Sequence, residues 1–568
     1  MRLPAPASVT RSVFPGFYVR FSQCALALLF AVTFPAFSRA QTAPPRPSLI
    51  TQPIEESKLT VLRGNTYPLA LAKYDRGAAP ASLPMQRMLL VLKRSPELEV
   101  SLAGLLDQQQ DKSSPNYHAW LTPEQFGQQF GPADADIQAI TSWLQLQGFQ
   151  VAKVSNGRTV IEFSGTAAQV QNAFHTEIHK CAVNGADRWA NASDPQIPTA
   201  LLPAVAGVLT LHNFPRHAMN HVVGTFKRTK GTSALTPVGP LFTLPNFSGN
   251  LTFYGVGPYD FATIYNVSPL WNATPAINGA GQTIAIVGET DVDFVDLQKF
   301  RALFGITSND PTMIVDGPDP GLQPDEIESD LDLEWSSAVA PGAAIKFVVA
   351  ATTDTTLGVD LAAQYIVDHN VAPIVSESYG ICEAALGTAG NQFFNQLWQQ
   401  AAAQGMSVFL SSGDSGSAGC DRDSPAQFGL QVSGFASTPY TTAVGGTDFN
   451  DLNNFTPYWN PTNDAHEASA KSYIPEMTWN DSCTNAEWSI VTGITNAETN
   501  CNNARLFGAV VATGKVPAPP AAVRTSSAAP EATQNLPGKP ERASRMTASA
   551  IFRTCRSLPA MDSTAIST

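Results

Sequence analysis

An alternation of strand-like and helix-like segments over residues 282–416 restricts the fold of this chain more than any other feature. Four short apolar runs have the character of buried strands, and three amphipathic segments separate them. The strand-like runs are QTIAIVGETD, AAIKFVVAA, APIVSESYG and MSVFLSSGDSG, and the helix-like segments are DFVDLQKFRALFG, GVDLAAQYIVDHN and NQLWQQAAAQG. This order predicts an α/β domain with a mainly parallel sheet and helices on both faces, whose functional groups lie where strands end in loops.

The N-terminal half has a different organisation over residues 45–215. Extended runs and helical periods alternate there, and their order predicts a compact α+β domain. The extended runs are LPMQRMLLVLKRS, FQVAKVS and TVIEFSG, and the helical segments are EVSLAGLLDQQQ, DADIQAITSWLQLQG and TAAQVQNAFHTEI. Residues 216–250 are rich in Gly, Pro, Thr and Ser, which predicts an exposed linker that proteases can cut.

The first forty residues have the architecture of a targeting segment. Three arginines precede the apolar run CALALLFAVTFPAF, and Ser38 and Ala40 offer small side chains for signal-peptidase cleavage before Gln41. A membrane anchor is the alternative, but the run is shorter than a spanning helix requires and contains Pro35. We therefore expect residues 1–40 to be a signal peptide, and the mature protein to be secreted, extracellular or periplasmic, without a membrane attachment.

The charge of the chain argues against a nucleic-acid partner. The net charge is −13 and the isoelectric point is about 5.1, yet only 14% of the residues are charged. Such a surface is acidic and sparsely charged, and it offers no basic patch to a phosphate backbone.

The cysteines fit an exported protein. Of seven, four cluster in the C-terminal half and could form two disulfides, for which sequence proximity favours Cys382 with Cys420 and Cys483 with Cys501. Buried free thiols are the alternative. Metal ligation is less favoured, because the sequence has no CxxC pair and no nearby histidine cluster.

The stretch EIESDLDLEW, residues 326–335, places five carboxylates in ten residues. A helix through PDEIESDLDLEWSSAVA would bring Glu328 and Asp332 to one face, four residues apart, and Pro341 and Gly342 would end it. Taken alone, the pattern favours a solvated face or a helix start, because acidic side chains in a first turn interact favourably with the helix dipole.

Longer stretches resemble the sedolisin family, the serine-carboxyl peptidases with a pro-kumamolisin-type propeptide. Three propeptide-like stretches are SSPNYHAWLTPEQFGQQFGP, FQVAKVSNGRTVIEFSGTAAQVQNAFHTEIHKC and PQIPTALLPAVAGVLTLHNF. Stretches similar to the catalytic domain are YDFATIYNV, ESDLDLEWSSAVAPGA, IVSESYG, VFLSSGDSG, YTTAVGGTDF and YIPEMTWNDSC. The resemblance implies a subtilisin-like α/β catalytic domain over residues 251–510, preceded by an α+β activation propeptide over residues 45–215.

The resemblance also implies roles for individual residues. Glu328 matches the general base, Asp332 the carboxylate that orients it, and Asp414 in SSGDSG the acid of the oxyanion hole. Because Asp414 would have to be protonated to donate a hydrogen bond to an oxyanion, an acidic working pH is expected. Glu326, Asp330 and Glu334 are expected to face solvent or to support the helix start.

Ser378, Tyr379 and Gly380 resemble the strand that lines the substrate cleft, although Tyr379 could equally be a core or rim aromatic. The expected partners are polypeptide substrates and the chain's own propeptide, which acts as an intramolecular inhibitor in a self-processing precursor.

A serine protease with a histidine base is the rival interpretation. Only His369 and His466 lie in the α/β half, and neither has the flanking residues of such a base, so structural or surface roles are favoured.

The sequence departs from the family at the nucleophile. The family carries a Gly-Gly-Thr-Ser motif near the end of the catalytic domain, followed by an aspartate-bearing calcium site, and neither is found. The stretch VGGTDF has Asp448 where the serine is needed, and it also falls too early in the chain. We therefore expect no calcium site in this chain, an incomplete peptidase domain and an aberrant tail over residues 511–568.

A frameshift would explain the departure. Permitted codons for residues 543–565, read one nucleotide out of register, can give GVPNDGIRYIPDVSLFASNGFNS, which resembles the stretch before the family's nucleophile. The hypothesis is a shift located after Cys501. The alternative is a catalytically inactive pseudoenzyme or peptide-binding remnant.

Overall fold

The computed structural model describes residues 46–478, except 69, 71, 184, 219–225, 229–234, 238–255, 415–418, 421–427, 452, 453 and 455, together with residues 495, 496 and 499. The predicted signal peptide, Cys483, Cys501 and the predicted aberrant tail lie outside the described residues. In the described part of the chain, no helix combines the length and the apolar character needed to cross a membrane.

The N-terminal half, which we call the prosegment, is built on two antiparallel sheets. The larger sheet has the strand order β4-β5-β3-β9 and the smaller one β2-β6-β7, and a short pair joins β1 to β8. The strands are β1 (Leu59–Val61), β2 (Asp75–Ala78), β3 (Pro84–Leu92), β4 (Gln150–Val154), β5 (Val160–Thr166), β6 (Ile178–Val183), β7 (Ala186–Asn191), β8 (Gln196–Pro198) and β9 (Val205–Val208). The helices are α1 (Pro96–Gln110), α2 (Pro123–Phe130), α3 (Asp134–Leu146) and α4 (Ala167–Phe174), with 3-10 turns at Ala72–Tyr74 and Thr199–Leu201.

Helix α4 shows how local sequence fixes the ends of an element. Thr166 and Gln169 form a reciprocal capping box at its start, which satisfies two backbone donors that the first turn leaves free. His175 adopts a left-handed conformation with φ of 51° and ends the helix after Phe174. The predicted helix TAAQVQNAFHTEI is therefore shorter than expected, and its last residue, Ile178, begins β6.

The C-terminal half contains a six-stranded sheet in which every neighbouring pair is parallel, as the alternating pattern predicts. The strand order is β14-β15-β13-β16-β18-β19. These strands are β13 (Thr283–Gly288), β14 (Thr312–Val315), β15 (Ala344–Val349), β16 (Ile374–Glu377), β18 (Ser407–Ser411) and β19 (Thr442–Val444). The short strands nearby are β17 (Tyr379–Gly380), β20 (Thr447–Phe449) and β21 (Glu476–Thr478). The helices are α5 (Pro258–Ile264), α6 (Ser268–Trp271), α7 (Phe294–Phe304), α8 (Glu326–Val339), α9 (Gly358–Asp368) and α10 (Glu383–Ala403).

Helices cover both faces of this sheet, because alternate residues of a strand point to opposite sides. On β15, Phe347 packs with Leu297 of α7 and Leu333 of α8. Its neighbour Val348 packs in another cluster, together with Ile366 of α9 and residues of α10. The fully parallel sheet therefore lies between two helical layers, and its strands are apolar on both sides.

The beginning of the predicted linker is tied to the C-terminal half by strand pairing. Strand β10 (His217–Ala218) pairs antiparallel with β17, with His217 opposite Gly380 and residue 218 opposite Tyr379. Further along, β11 (Phe226–Arg228) pairs with β12 (Leu235–Pro237). Composition indicated an exposed connection, but backbone groups at a strand edge pair whatever the side chains are.

We expect Phe174→Ala to lower the free energy of unfolding of the prosegment by about 3–5 kcal/mol, since it leaves a cavity in a packed aromatic cluster. The Phe174 side chain is 0% exposed, and its ring lies 5.5 Å from that of Trp143. Urea denaturation followed by tryptophan fluorescence would measure the loss. The control is Leu146→Ala, at a site that is 86% exposed. Equal losses in the two variants would contradict the assigned core.

Candidate active site

Helix α8 carries the two carboxylates singled out in the sequence. It begins at Glu326 and ends at Val339, before Pro341 and Gly342, as the sequence predicts. Glu328 and Asp332 lie one helical turn apart and so share a face of the helix. Glu328 is 0% exposed. A buried carboxyl is costly to charge, so the pair is not a solvated helix surface.

Asp332 is joined to the predicted cleft strand by a hydrogen bond. The Ser378 hydroxyl donates to Asp332 Oδ1 over 2.8 Å. Burial raises the pKa of Asp332 to about 7, although the bond from Ser378 acts in the opposite direction because it favours the ionised form. The structure thus brings together two residues that the sequence could connect only by resemblance.

Tyr379 is a buried side chain with a polar contact. It is 1% exposed, and its hydroxyl donates to Asp325 Oδ2 over 2.8 Å. Asp325 is the residue immediately before α8, so Tyr379 attaches the cleft strand to the start of that helix, while Ser378 attaches it to Asp332 in the next turn. The sequence left a core role for Tyr379 open, and the ring is indeed in the core while the hydroxyl orders the site.

Asp414 lies beyond the end of β18, the neighbour of β16 in the sheet. It is half-buried, and it follows the strand by three residues. Because adjacent parallel strands end at the same edge, Asp414 and Ser378 belong to one edge of the sheet.

A disulfide joins the cleft strand to the loop that follows Asp414. Cys382 and Cys420 are bonded, with their Cα atoms 5.2 Å apart, and they are one of the two pairs that proximity favours. Cys382 is buried at the residue before α10. The link restricts the loop that carries Asp414 relative to Tyr379 and Gly380.

Sequence reasoning missed three further acids near the sheet edge. Glu377 ends β16 and is 1% exposed, and burial raises its pKa well above the usual range. Burial raises the pKa of Glu289, after β13, to about 7, and Thr352 donates a hydrogen bond to its carboxyl over 2.6 Å. Asp360 is fully buried in the first turn of α9. A sequence signal was available for Glu377, because it is an acid within the otherwise apolar run APIVSESYG.

The expectation that Asp330 and Glu334 face solvent is wrong. Both are half-buried, and burial raises the pKa of Asp330 to about 7 and that of Glu334 well above its usual range. The cause is that α8 packs against α7 and α5 as well as the sheet. Glu326, by contrast, accepts a hydrogen bond from the Asp293 backbone N–H, at the start of α7, over 3.0 Å.

The two histidines of this half stand apart from the acids. His369 and His466 are exposed, and each stacks on a tyrosine, with centroid distances of 3.9 Å to Tyr365 and 4.4 Å to Tyr259. Surface roles, as the sequence indicates, fit these contacts.

Among the described residues, no group of three or more His, Cys, Asp or Glu is arranged to hold a metal ion. The expectation about calcium stays a prediction, because it concerns sequence beyond this part.

We expect the free energy of unfolding to fall as pH rises through about 7. Folded Asp332 and Asp330 have pKa values of about 7, above the unfolded value of about 3.9, so the folded state binds extra protons between these limits. Each such proton contributes about 1.4 kcal/mol per pH unit to the slope. Urea denaturation from pH 5 to 8 should show a shallower slope for Asp332→Asn. The control is Asp107→Asn, on an exposed part of α1, and an unchanged slope in Asp332→Asn would contradict the assignment.

Comparison with known proteins connects both halves to one family. Residues 73–214 match the family described as the pro-kumamolisin activation domain. Sedolisin from Pseudomonas sp. (strain 101) is 29% identical over 394 residues, which are 67% of this chain and 61% of that protein. Xanthomonalisin from Xanthomonas sp. (strain T-22) is 27% identical over 444 residues, covering 72% and 51%. Kumamolisin from Bacillus sp. (strain MN-32) is 26% identical over 416 residues, covering 69% and 67%.

The chain thus spans between about half and two thirds of the length of these relatives. The alignments are longer than the activation domain, so the similarity continues into the half that holds the parallel sheet and the buried acids. The chain is therefore similar to sedolisin-family precursors, both over its activation domain and beyond it.

Proposed function

We propose that this protein is the precursor of an exported, acid-acting serine-type endopeptidase with a subtilisin-like catalytic domain. The observation that carries the proposal is the carboxyl pair on α8, with Glu328 fully buried and the half-buried Asp332 held by Ser378 of the cleft strand. Glu328 is the general base that takes a proton from a serine nucleophile, and Asp332 orients it. Asp414, in its protonated form, donates to the oxyanion of the tetrahedral intermediate.

The electrostatics of the site support work at acidic pH. Burial favours the neutral form of Asp332, with its pKa of about 7. Two carboxyls one turn apart hold protons as a unit, since a second negative charge in a shielded site costs more than the first. A glutamate base suits low pH because it is still partly ionised where a histidine is fully protonated.

Latency is the proposed role of the prosegment. Strand β10 pairs by its backbone with Tyr379 and Gly380, the residues expected to bind an extended peptide. A substrate that used the same backbone groups would have to displace β10. The prosegment is therefore a competitive occupant of the cleft until the chain is cut.

The nucleophile is proposed to be encoded in another reading frame after Cys501. Resequencing the gene from that codon past the stop, with all three frames translated, tests this. A corrected base that joins an intact frame with the serine motif would support an acid peptidase. A verified shift in the gene would support a relic without a nucleophile.

The second candidate function is peptide binding without turnover, favoured by the lack of the family's Gly-Gly-Thr-Ser motif in this sequence. Incubation of the chain as given with a denatured protein at about pH 3–4 separates the two, because only a peptidase releases fragments. Cleavage by this chain would overturn the view that its nucleophile is missing.

In the protein with its frame restored, we expect Glu328→Gln to reduce turnover by at least about 10²-fold and to stop prosegment removal, because the amide cannot accept the serine proton. Glu326→Gln is the matched control, since it lies half a turn earlier on α8 and contacts α7. Peptide hydrolysis and self-processing on gels measure both effects. Normal processing by Glu328→Gln would exclude Glu328 as the base.

A further inference from the structure

Arg216, the first residue of the predicted linker, is buried against the C-terminal half. Its Nε and Nη2 donate to Asp360 Oδ1 and Oδ2 over 3.2 and 2.7 Å. Both side chains of this ion pair are 0% exposed. Two parallel bonds between a guanidinium and a carboxylate form the geometry in which arginine binds most selectively.

The surroundings of Arg216 form a pocket with an aromatic wall and an excess of acid. The guanidinium carbon lies 5.5 Å from the ring centroid of Phe435, which is fully buried. Glu377 and Glu289 are close enough for the charge of Arg216 to lower their pKa values, although burial outweighs this and keeps both raised. Among the described residues, the Glu377 carboxyl has no hydrogen-bond partner. We call the site formed by Asp360, Phe435, Glu377 and Glu289 the Arg216 pocket.

Arg216 reaches this pocket from a segment that lies as a bound peptide would. The next two residues form β10, which pairs antiparallel with Tyr379 and Gly380. Glu377, in the pocket, is two residues before Tyr379 on the same stretch of chain. The pocket therefore lies next to the cleft strand. It receives the side chain of the residue immediately before His217, which pairs with Gly380.

We propose that the Arg216 pocket is a substrate subsite for a basic side chain, with arginine preferred to lysine. The proposal rests on the peptidase function above. An extended peptide that replaces β10 on Tyr379 and Gly380 would place its own arginine on Asp360, against the ring of Phe435. Arginine is preferred because its planar fork makes two bonds to one carboxylate and also stacks on an aromatic face, whereas an ammonium is a compact point charge.

The negative charge of Asp360 would attract a cation into the empty pocket. When the segment with Arg216 leaves, Asp360 loses its guanidinium partner while Glu377 and Glu289 stay nearby. An unpaired buried carboxylate is strongly unfavourable and must gain either a proton or a cation. A substrate arginine restores the arrangement that the prosegment supplies in the precursor.

A small guanidinium tests whether the pocket binds a cation by itself. In full-length Arg216→Ala at pH 7, methylguanidinium should bind with millimolar affinity, as measured by calorimetry and by a rise in Tm. It should not bind the wild-type chain, in which Arg216 fills the pocket, or Arg216→Ala/Asp360→Asn. Arg216→Ser is the second variant if Arg216→Ala does not fold. Equal binding to the single and double variants, or no binding, would overturn the proposal while leaving the peptidase proposal intact.

Peptides test whether the pocket recognises an arginine side chain in a substrate. The probe is Phe-Pro-Arg-His-Ala-Met, the sequence of residues 214–219, and its twin has norleucine in place of arginine. Arg216→Ala should bind the arginine peptide at least about tenfold more tightly than the twin, and Asp360→Asn in the same background should abolish the difference. A lysine peptide should bind with intermediate affinity. Equal affinity of Arg216→Ala for the arginine peptide and for its norleucine twin would identify the pocket as an anchor for the chain's own Arg216 alone.

Discussion

The burial of carboxyl groups at the edge of the parallel sheet is the constraint on which the rest of this structure depends. Strands that end together bring their following residues together, and in this chain many of those residues are acids. Each charge is disfavoured by burial and has to be offset by a proton, a hydroxyl or a guanidinium. The contacts that do so are Ser378 to Asp332, Tyr379 to Asp325, Thr352 to Glu289 and Arg216 to Asp360. The arrangement of α8, the cleft strand and the prosegment follows from these contacts.

The sequence predicted the parts of this arrangement that periodicity controls. Apolar runs and helical spacing gave the strands and helices around the sheet, and i, i+4 spacing placed Glu328 and Asp332 on one face of α8. It could not give contacts between distant residues, because pairing across a fold leaves no local pattern. Arg216 and Asp360 are 144 positions apart, and neither has a neighbour that points to the other.

Local patterns failed where a helix has more than one partner. The acids of α8 fit a solvated first turn, and Glu326 does bind a backbone N–H at the start of α7. Asp330 and Glu334 instead lie close to α7, and the charge of Asp296 on that helix contributes, after burial, to the raised pKa of both acids. A sequence pattern reports the polarity of a helix face, whereas the number of packing neighbours decides whether that face meets water. Strand β10 makes the same point, because its pairing depends on backbone groups and not on composition.

Acid acts in opposite directions on the buried acids of the C-terminal half and on the ion pair of Arg216. Protonation removes the cost of burying the charges of Asp332 and Glu377, so it stabilises the C-terminal half. Burial also raises the pKa of Asp360, so this carboxylate is neutralised earlier in an acid titration than an exposed aspartate, and the anchor of Arg216 weakens. The pKa of Glu162 is shifted the other way, because its partner Arg87, which also binds Asp316 of the C-terminal half, outweighs the effect of burial. The Arg216–Asp360 pair is therefore weakened by acid at a higher pH than the Arg87–Glu162 pair.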